Sequence, residues 1–112
     1  MTTPVLIIIK NAPSQSASYR EWLDMLFAST SFDIDPVVLF IGDGVLNLFP
    51  GELTKAIAAL PHYDIEKIYV DQQALLKRKL NPLIMQLPAK PLDNNAINSL
   101  YQQHKIILSG RR

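Results

Sequence analysis

Cysteine is absent from all 112 residues. That excludes disulfide bridges, thiolate nucleophiles and cysteine metal sites on this polypeptide. Histidine is scarce too: His62 and His104 stand apart, with no second ligand at metal spacing and no Ser or Asp arranged as a relay. Surface or loop-anchoring roles suit both. The four glycines form no phosphate loop. Gly42-x-Gly44 is half of a dinucleotide fingerprint, but it lacks the third glycine and follows the wrong strand. No apolar run approaches the roughly 20 residues of a membrane span, and no charged leader with a small-residue cleavage site opens the chain. A cytoplasmic protein is expected. Nor is there an excess of one charge. Eleven basic residues stand against ten acidic ones, so no strong pull toward nucleic acid or an anionic membrane follows. The basic concentrations, Lys77-Arg78-Lys79 and Arg111-Arg112, read as a solvated helix face and a solubilising tail.

What is present is apolar. Hydrophobic residues make up 48% of the chain, a high share for one small domain, and no Pro/Gly/Ser linker divides it. Val5 to Ile9, Val37 to Ile41 and Ile68 to Val70, the last within a third strand expected over Ile65 to Val70, are apolar runs without strict alternation, as in strands buried on both faces of a parallel sheet. Between and after them fall helical stretches. Ala17 to Ser29 follows a candidate cap at Ser14 or Ser16, Gln72 to Lys79 ends at Asn81-Pro82, and Asp93 caps a helix to about Gln103. A shorter helix is expected from Glu52 to Leu60, and Phe32 to Pro36 as a loop. Leu83 to Leu87 is expected as a fourth, near-edge strand, and Ile106 to Ser109 as a closing one. This alternation predicts one α/β domain over 1–112: a mostly parallel sheet of four to five strands with helices on both faces.

The most informative stretch is Val37 to Glu52, VVLFIGDGVLNLFPGE. It places Asp43 just past a strand's carboxyl end, the edge where open α/β sheets meet ligands. A turn-forming or capping role for that carboxylate outweighs general acid or base chemistry. Val45, Leu46, Leu48 and Phe49 then surround a lone Asn47, and a segment that short cannot bury all four. On the first helix Tyr19, Leu23, Leu26 and Phe27 suffice to cover a sheet, while Trp22 and Met25 widen the apolar stripe. Trp22, Met25, Val45, Leu46, Leu48 and Phe49 are therefore candidate partner contacts, in keeping with aromatic and Met enrichment at interface cores. No nucleophile, base and oxyanion donor assemble anywhere.

Ala12-Pro13, Arg20-Glu21-x-Leu23-Asp24 and FIGDGVLNLFPGE from Phe40 to Glu52, with Tyr63-Asp64-Ile65-Glu66 before the third strand, resemble the TusC/DsrF branch of the DsrE/DsrF-like sulfur-relay family. The similarity runs from the first strand through about Leu80 and more loosely beyond. It implies a small flavodoxin-like α/β domain. The chain departs from the family pattern at Ser14-Gln15, where a His-Gly pair is usual, and at Tyr19, where a glycine is. In the catalytic sister subunits a cysteine begins the helix after the third strand and carries a persulfide. Here that place falls at Asp71. A helix N-terminus activates a thiol there, whereas a carboxylate caps the helix and holds no sulfane sulfur. The resemblance thus implies a non-catalytic subunit without cofactor or metal. It would complete a hetero-oligomer, a hexamer by resemblance, with TusB-like and TusD-like chains. TusE-like and TusA-like carriers would be linked indirectly, and the sulfur would move toward 2-thiouridine at tRNA wobble positions. Two alternatives stand beside it: a stand-alone small-ligand-binding or hydrolytic domain using Asp43 and Asp71, and a subunit of dissimilatory sulfur oxidation.

Overall fold

The three apolar runs become the middle of one parallel sheet. The computed structural model describes residues 3–29 and 33–109. Its strands are β1 (Thr3–Ile9), β2 (Ile34–Phe40), β3 (Lys67–Asp71), β4 (Lys90–Leu92) and β5 (Ile106–Ser109). They lie in the order β4-β3-β2-β1-β5, and every pairing is parallel. The helices are α1 (Ala17–Ser29), α2 (Gln72–Lys77) and α3 (Asn94–Gln103). Val5, Ile7, Ile9, Val38, Phe40 and Val70 point to one face, where α1 and α2 bring Tyr19, Leu23, Leu26, Ala74 and Leu75. Leu6, Ile8, Val37 and Leu39 point to the other, covered by Ile97, Leu100 and Tyr101 of α3. Burial on both faces is what removed the period-two alternation from these strands.

Caps fix the helix starts. Ser16 Oγ accepts the Tyr19 amide at 3.2 Å, Asp71 Oδ1 the Gln73 amide at 3.0 Å, and Asp93 Oδ1 the Ala96 amide at 2.8 Å. The α2 helix ends two residues sooner than expected: Lys79 takes a left-handed φ of 55°, and the Leu80 amide returns to the Leu75 carbonyl at 3.0 Å.

Three expectations are corrected. The stretch from 34 to 36 is already strand, so the loop before β2 is shorter; Phe32 lies outside the described residues. Pro36 is in register with Val5 of β1, while β3 pairs only from Val37 onward, so one side of β2 is open at the proline. The Glu52 to Leu60 helix is instead two 3-10 turns, Glu52–Thr54 and Ile57–Tyr63, the second running through Pro61. The Thr54 hydroxyl donates to the Phe49 carbonyl at 2.7 Å, with the Gly51 carbonyl at 3.3 Å, and Pro61 has no N–H to give, so no α ladder propagates. Finally, the fourth strand is Lys90–Leu92 rather than Leu83 to Leu87; Pro82–Ile84 forms a 3-10 turn capped by Asn81.

Candidate functional site at the carboxyl edge of the sheet

Chain direction is the same in all five strands, so their carboxyl ends share one edge, and the Gly42–Leu48 3-10 turn lies across it. Gly42 opens the turn at a left-handed φ of 52°. Two residues on, Gly44 passes directly over the end of β1. A Cβ at Gly44 would overlap the Ile9 carbonyl oxygen and stand 2.6 Å from its carbon. That carbonyl also accepts the Ile41 amide at 3.0 Å, so it cannot turn aside without breaking a bond between segments. Glycine is required here by contact, not by conformation.

The turn lays Asn47 into the interior, fully buried. Its Oδ1 accepts a hydrogen bond from the Tyr19 hydroxyl. Its Nδ2 donates to the Asn11 carbonyl at 3.0 Å and to the Gly44 carbonyl at 2.9 Å. One amide thereby ties α1, the loop after β1 and the turn after β2. Gln86 adds a second clamp: its amide bonds the Leu48 carbonyl at 2.8 Å, and its Nε2 reaches the Thr54 carbonyl at 2.8 Å and the Asn47 carbonyl at 3.2 Å. Burial pushes the Tyr19 hydroxyl up to about 12 from its usual 10.0, so it stays a neutral donor. Sequence reasoning assigned no role to this node. The available signal was a lone Asn among four large apolar residues, since a polar side chain drawn into a core must find partners.

The two candidate carboxylates are both engaged. Asp43 neither caps nor forms an Asx turn; its Oδ1 receives Arg78 Nη2 at 2.8 Å and Nε at 3.3 Å, while Arg78 Nη1 bonds the Ala74 carbonyl at 3.1 Å. This pair fastens α2 to the 42–48 turn. Asp71 is the N-cap of α2, as expected, and it borders an open cleft with Gly42, Gln73, Lys77, Arg78 and Asn94. Nearby, Tyr101 has its hydroxyl pKa raised, first by burial and then by the Asp71 charge. Asp71→Ala is expected to cost about 1 kcal/mol of stability, read from urea unfolding, the usual loss for a cap of this kind. No change in unfolding midpoint would remove the capping role. Among the described residues no three His, Asp or Glu side chains converge as metal ligands. His104 anchors its loop through Nδ1 and the Leu100 carbonyl at 2.8 Å, and His62 is exposed.

The apolar candidates divide. Val45 and Leu48 are fully buried in the core and are removed from any partner surface. The turn winds its hydrophobic residues so that these two drop beneath it. Leu46 stays half-buried, and Phe49 packs partly against the core. On α1, Met25 is 38% exposed. Trp22 packs against the core, and its Nε1–H is buried with no partner among the described residues. No helix among the described residues is long and apolar enough to cross a membrane.

With this architecture in view, comparison with known proteins is direct. The chain is similar to the E. coli YchN protein of known structure at a TM-score of 0.78, over 97% of this chain and 99% of that one, with 15% identity. It is 30% identical to a TusC homolog of Pseudomonas aeruginosa, over 97% of this chain and 99% of the relative. Protein TusC of E. coli K12 is 32% identical over 93% and 96%. The model of the DsrE/DsrF-like family matches residues 4–109. This chain belongs to the DsrE/DsrF-like family.

Proposed function

We infer that this protein is a sulfur-relay subunit of the TusC kind, a non-catalytic member of a hetero-oligomer that serves tRNA thiolation. The observation that carries the reading is Asp71. It stands where the resemblance places the sister subunits' persulfide cysteine, at the start of the helix after the third strand, and its carboxylate is occupied in capping that helix. No thiol exists elsewhere on the chain to replace it, so the persulfide ladder has no first rung here. The names of the relatives favour the tRNA pathway over a dissimilatory one. A hydrolytic domain using Asp43 and Asp71 has less support, since Arg78 holds the first and the Gln73 amide occupies the second.

The partners in this reading are TusB-like and TusD-like chains. Met25, Leu46 and the outer faces of Trp22 and Phe49 are the remaining candidate contacts, because each leaves apolar area in water that a neighbour would cover. The test is incubation with a cysteine desulfurase and labelled cysteine, with and without the two sister chains. No label is expected on the isolated chain, and label on the cysteine-bearing sister in the assembled complex. Stable label on this chain would sink the non-catalytic reading; failure to co-purify with the sisters would sink the subunit reading.

A further inference from the structure

The most exposed large apolar side chains lie outside the candidate partner contacts named so far. Leu83 is 90% exposed, Leu76 69% and Ile84 60%. Leu83 and Ile84 form the tip of the Pro82–Ile84 turn, a position that in most loops is polar. The turn is held at both feet. Asn81 Oδ1 accepts the Leu83 amide at 3.0 Å and the Asn81 carbonyl accepts the Ile84 amide at 3.2 Å, while Pro82 fixes the first helical position. On the far side Met85 packs against the core, and Gln86 is bonded to the 42–48 turn and to Thr54. On the near side Leu80 packs against the core, its amide bonded to Leu75, the residue before Leu76. The result is a knob of two apolar side chains held at both feet, with a third exposed on α2, the preceding helix in the chain. Anchors held in place before binding lose little freedom when they dock, which is the property of an interface hot spot.

Charge indicates what covers it. From 72 to 92 the chain has four basic residues, Lys77, Arg78, Lys79 and Lys90, and no acidic one. Arg78 is neutralised by Asp43. Lys77, Lys79 and Lys90 are exposed and make no ion pair among the described residues. An apolar knob on a segment whose charges are all cationic is complementary to an apolar pocket edged by carboxylates. We propose that Leu83 and Ile84 seat in such a pocket on a neighbouring subunit of the relay complex, with Lys77 and Lys79 meeting its carboxylates. This rests on the subunit reading above, and it names a second contact surface, apart from Met25 and Leu46. Two side chains on a compact turn fit a protein pocket better than a lipid surface, where insertion gains from a broader apolar face.

The test is co-expression with a TusB-like and a TusD-like chain, followed by affinity measurement on the purified components at low and high salt. Leu83→Asp and Ile84→Asp are expected to weaken assembly by about tenfold or more with an unchanged unfolding midpoint, both sites being solvent-facing. Lys77→Glu with Lys79→Glu should weaken it severalfold and flatten its salt dependence. A wild-type complex formed equally well by the Leu83→Asp and Ile84→Asp variants overturns this inference and leaves the subunit reading standing. A wild-type chain that ignores both sisters overturns the two together. Leu83-dependent sedimentation with phosphatidylglycerol vesicles, beside an unaffected complex, assigns the knob to membranes and also overturns it.

Discussion

Gly44→Ala is expected to destabilise the fold by roughly 3–5 kcal/mol, enough to remove most of a small domain's stability. The added methyl meets the Ile9 carbonyl, which is backbone, so no rotamer change relieves the overlap. Moving the turn instead would break the Gly44 amide bond to the Ile41 carbonyl at 2.8 Å or the Ile41 bond to Ile9 at 3.0 Å. It would also lift Val45 and Leu48 out of the core. Gly42 supplies the control. It has a left-handed φ of 52° with nothing within 4 Å of where a Cβ would stand. Gly42→Asn should therefore cost only about 1 kcal/mol or less, since Asn visits that region most readily among the others. Urea unfolding followed by circular dichroism separates the two. Equal stability of Gly44→Ala and wild type would show that the chain does not cross β1 this closely.

The contrast between these glycines shows where sequence reading reaches its limit. Gly42-Asp43-Gly44 is legible as a break after a buried strand, because a run such as Val37 to Ile41 cannot continue through it. The crossing of β1 is not legible, since it depends on a contact between positions that only the parallel register brings together. The same divide explains the strands. β1, β2 and β3 are evident because burial on both faces writes itself as continuous apolar sequence. β4 was displaced because Leu83 to Leu87 is equally apolar, yet only Leu87 of that run is buried. Asn81-Pro82 closes a turn first, and the strand follows at Lys90–Leu92 on the sheet's edge, where Pro91 is tolerated. Apolarity there reports exposure at a knob instead of burial in a core.

The candidate site was legible in its address and not in its wiring. The carboxyl edge and the cap at Asp71 follow from strand ends and helix starts. The Asp43–Arg78 pair joins two residues 35 apart in sequence and carries no local signal. The exposed carboxylate makes it a weak surface contact, of about 1 kcal/mol or less. Val45 and Leu48 illustrate the opposite case. Their hydrophobicity was plain, but which pair of the four turns inward depends on the 3-10 winding of the Gly42–Leu48 turn.

Asn47→Leu is expected to cost roughly 3–5 kcal/mol despite filling the same space with an apolar side chain. The change withdraws the acceptor of the Tyr19 hydroxyl and the donor to the Gly44 and Asn11 carbonyls. The buried Tyr19 hydroxyl is left without its acceptor, and a buried polar group in that state costs about 1–3 kcal/mol, more than the bond itself contributed. Tyr19→Phe alone should cost less, about 1–2 kcal/mol, because Asn47 keeps both of its donated bonds. The two changes are then expected to be non-additive: Tyr19→Phe removes the orphaned hydroxyl, so the double variant recovers about 1 kcal/mol or more against the sum. Alkaline titration gives an independent readout. The Tyr19 pKa is raised in the folded protein to about 12 from 10.0, so the fold favours the neutral phenol. That contribution is fully present below pH 10 and is lost as pH rises from about 10 toward 12, where the unfolded chain releases the proton first. Wild type should therefore lose stability over that window, and Tyr19→Phe should lack this part of the loss. Additive single-variant costs together with matching alkaline profiles would mean that the hydroxyl and the amide do not act as a pair. In that case the 42–48 turn would be held by Gly44 and its apolar neighbours alone.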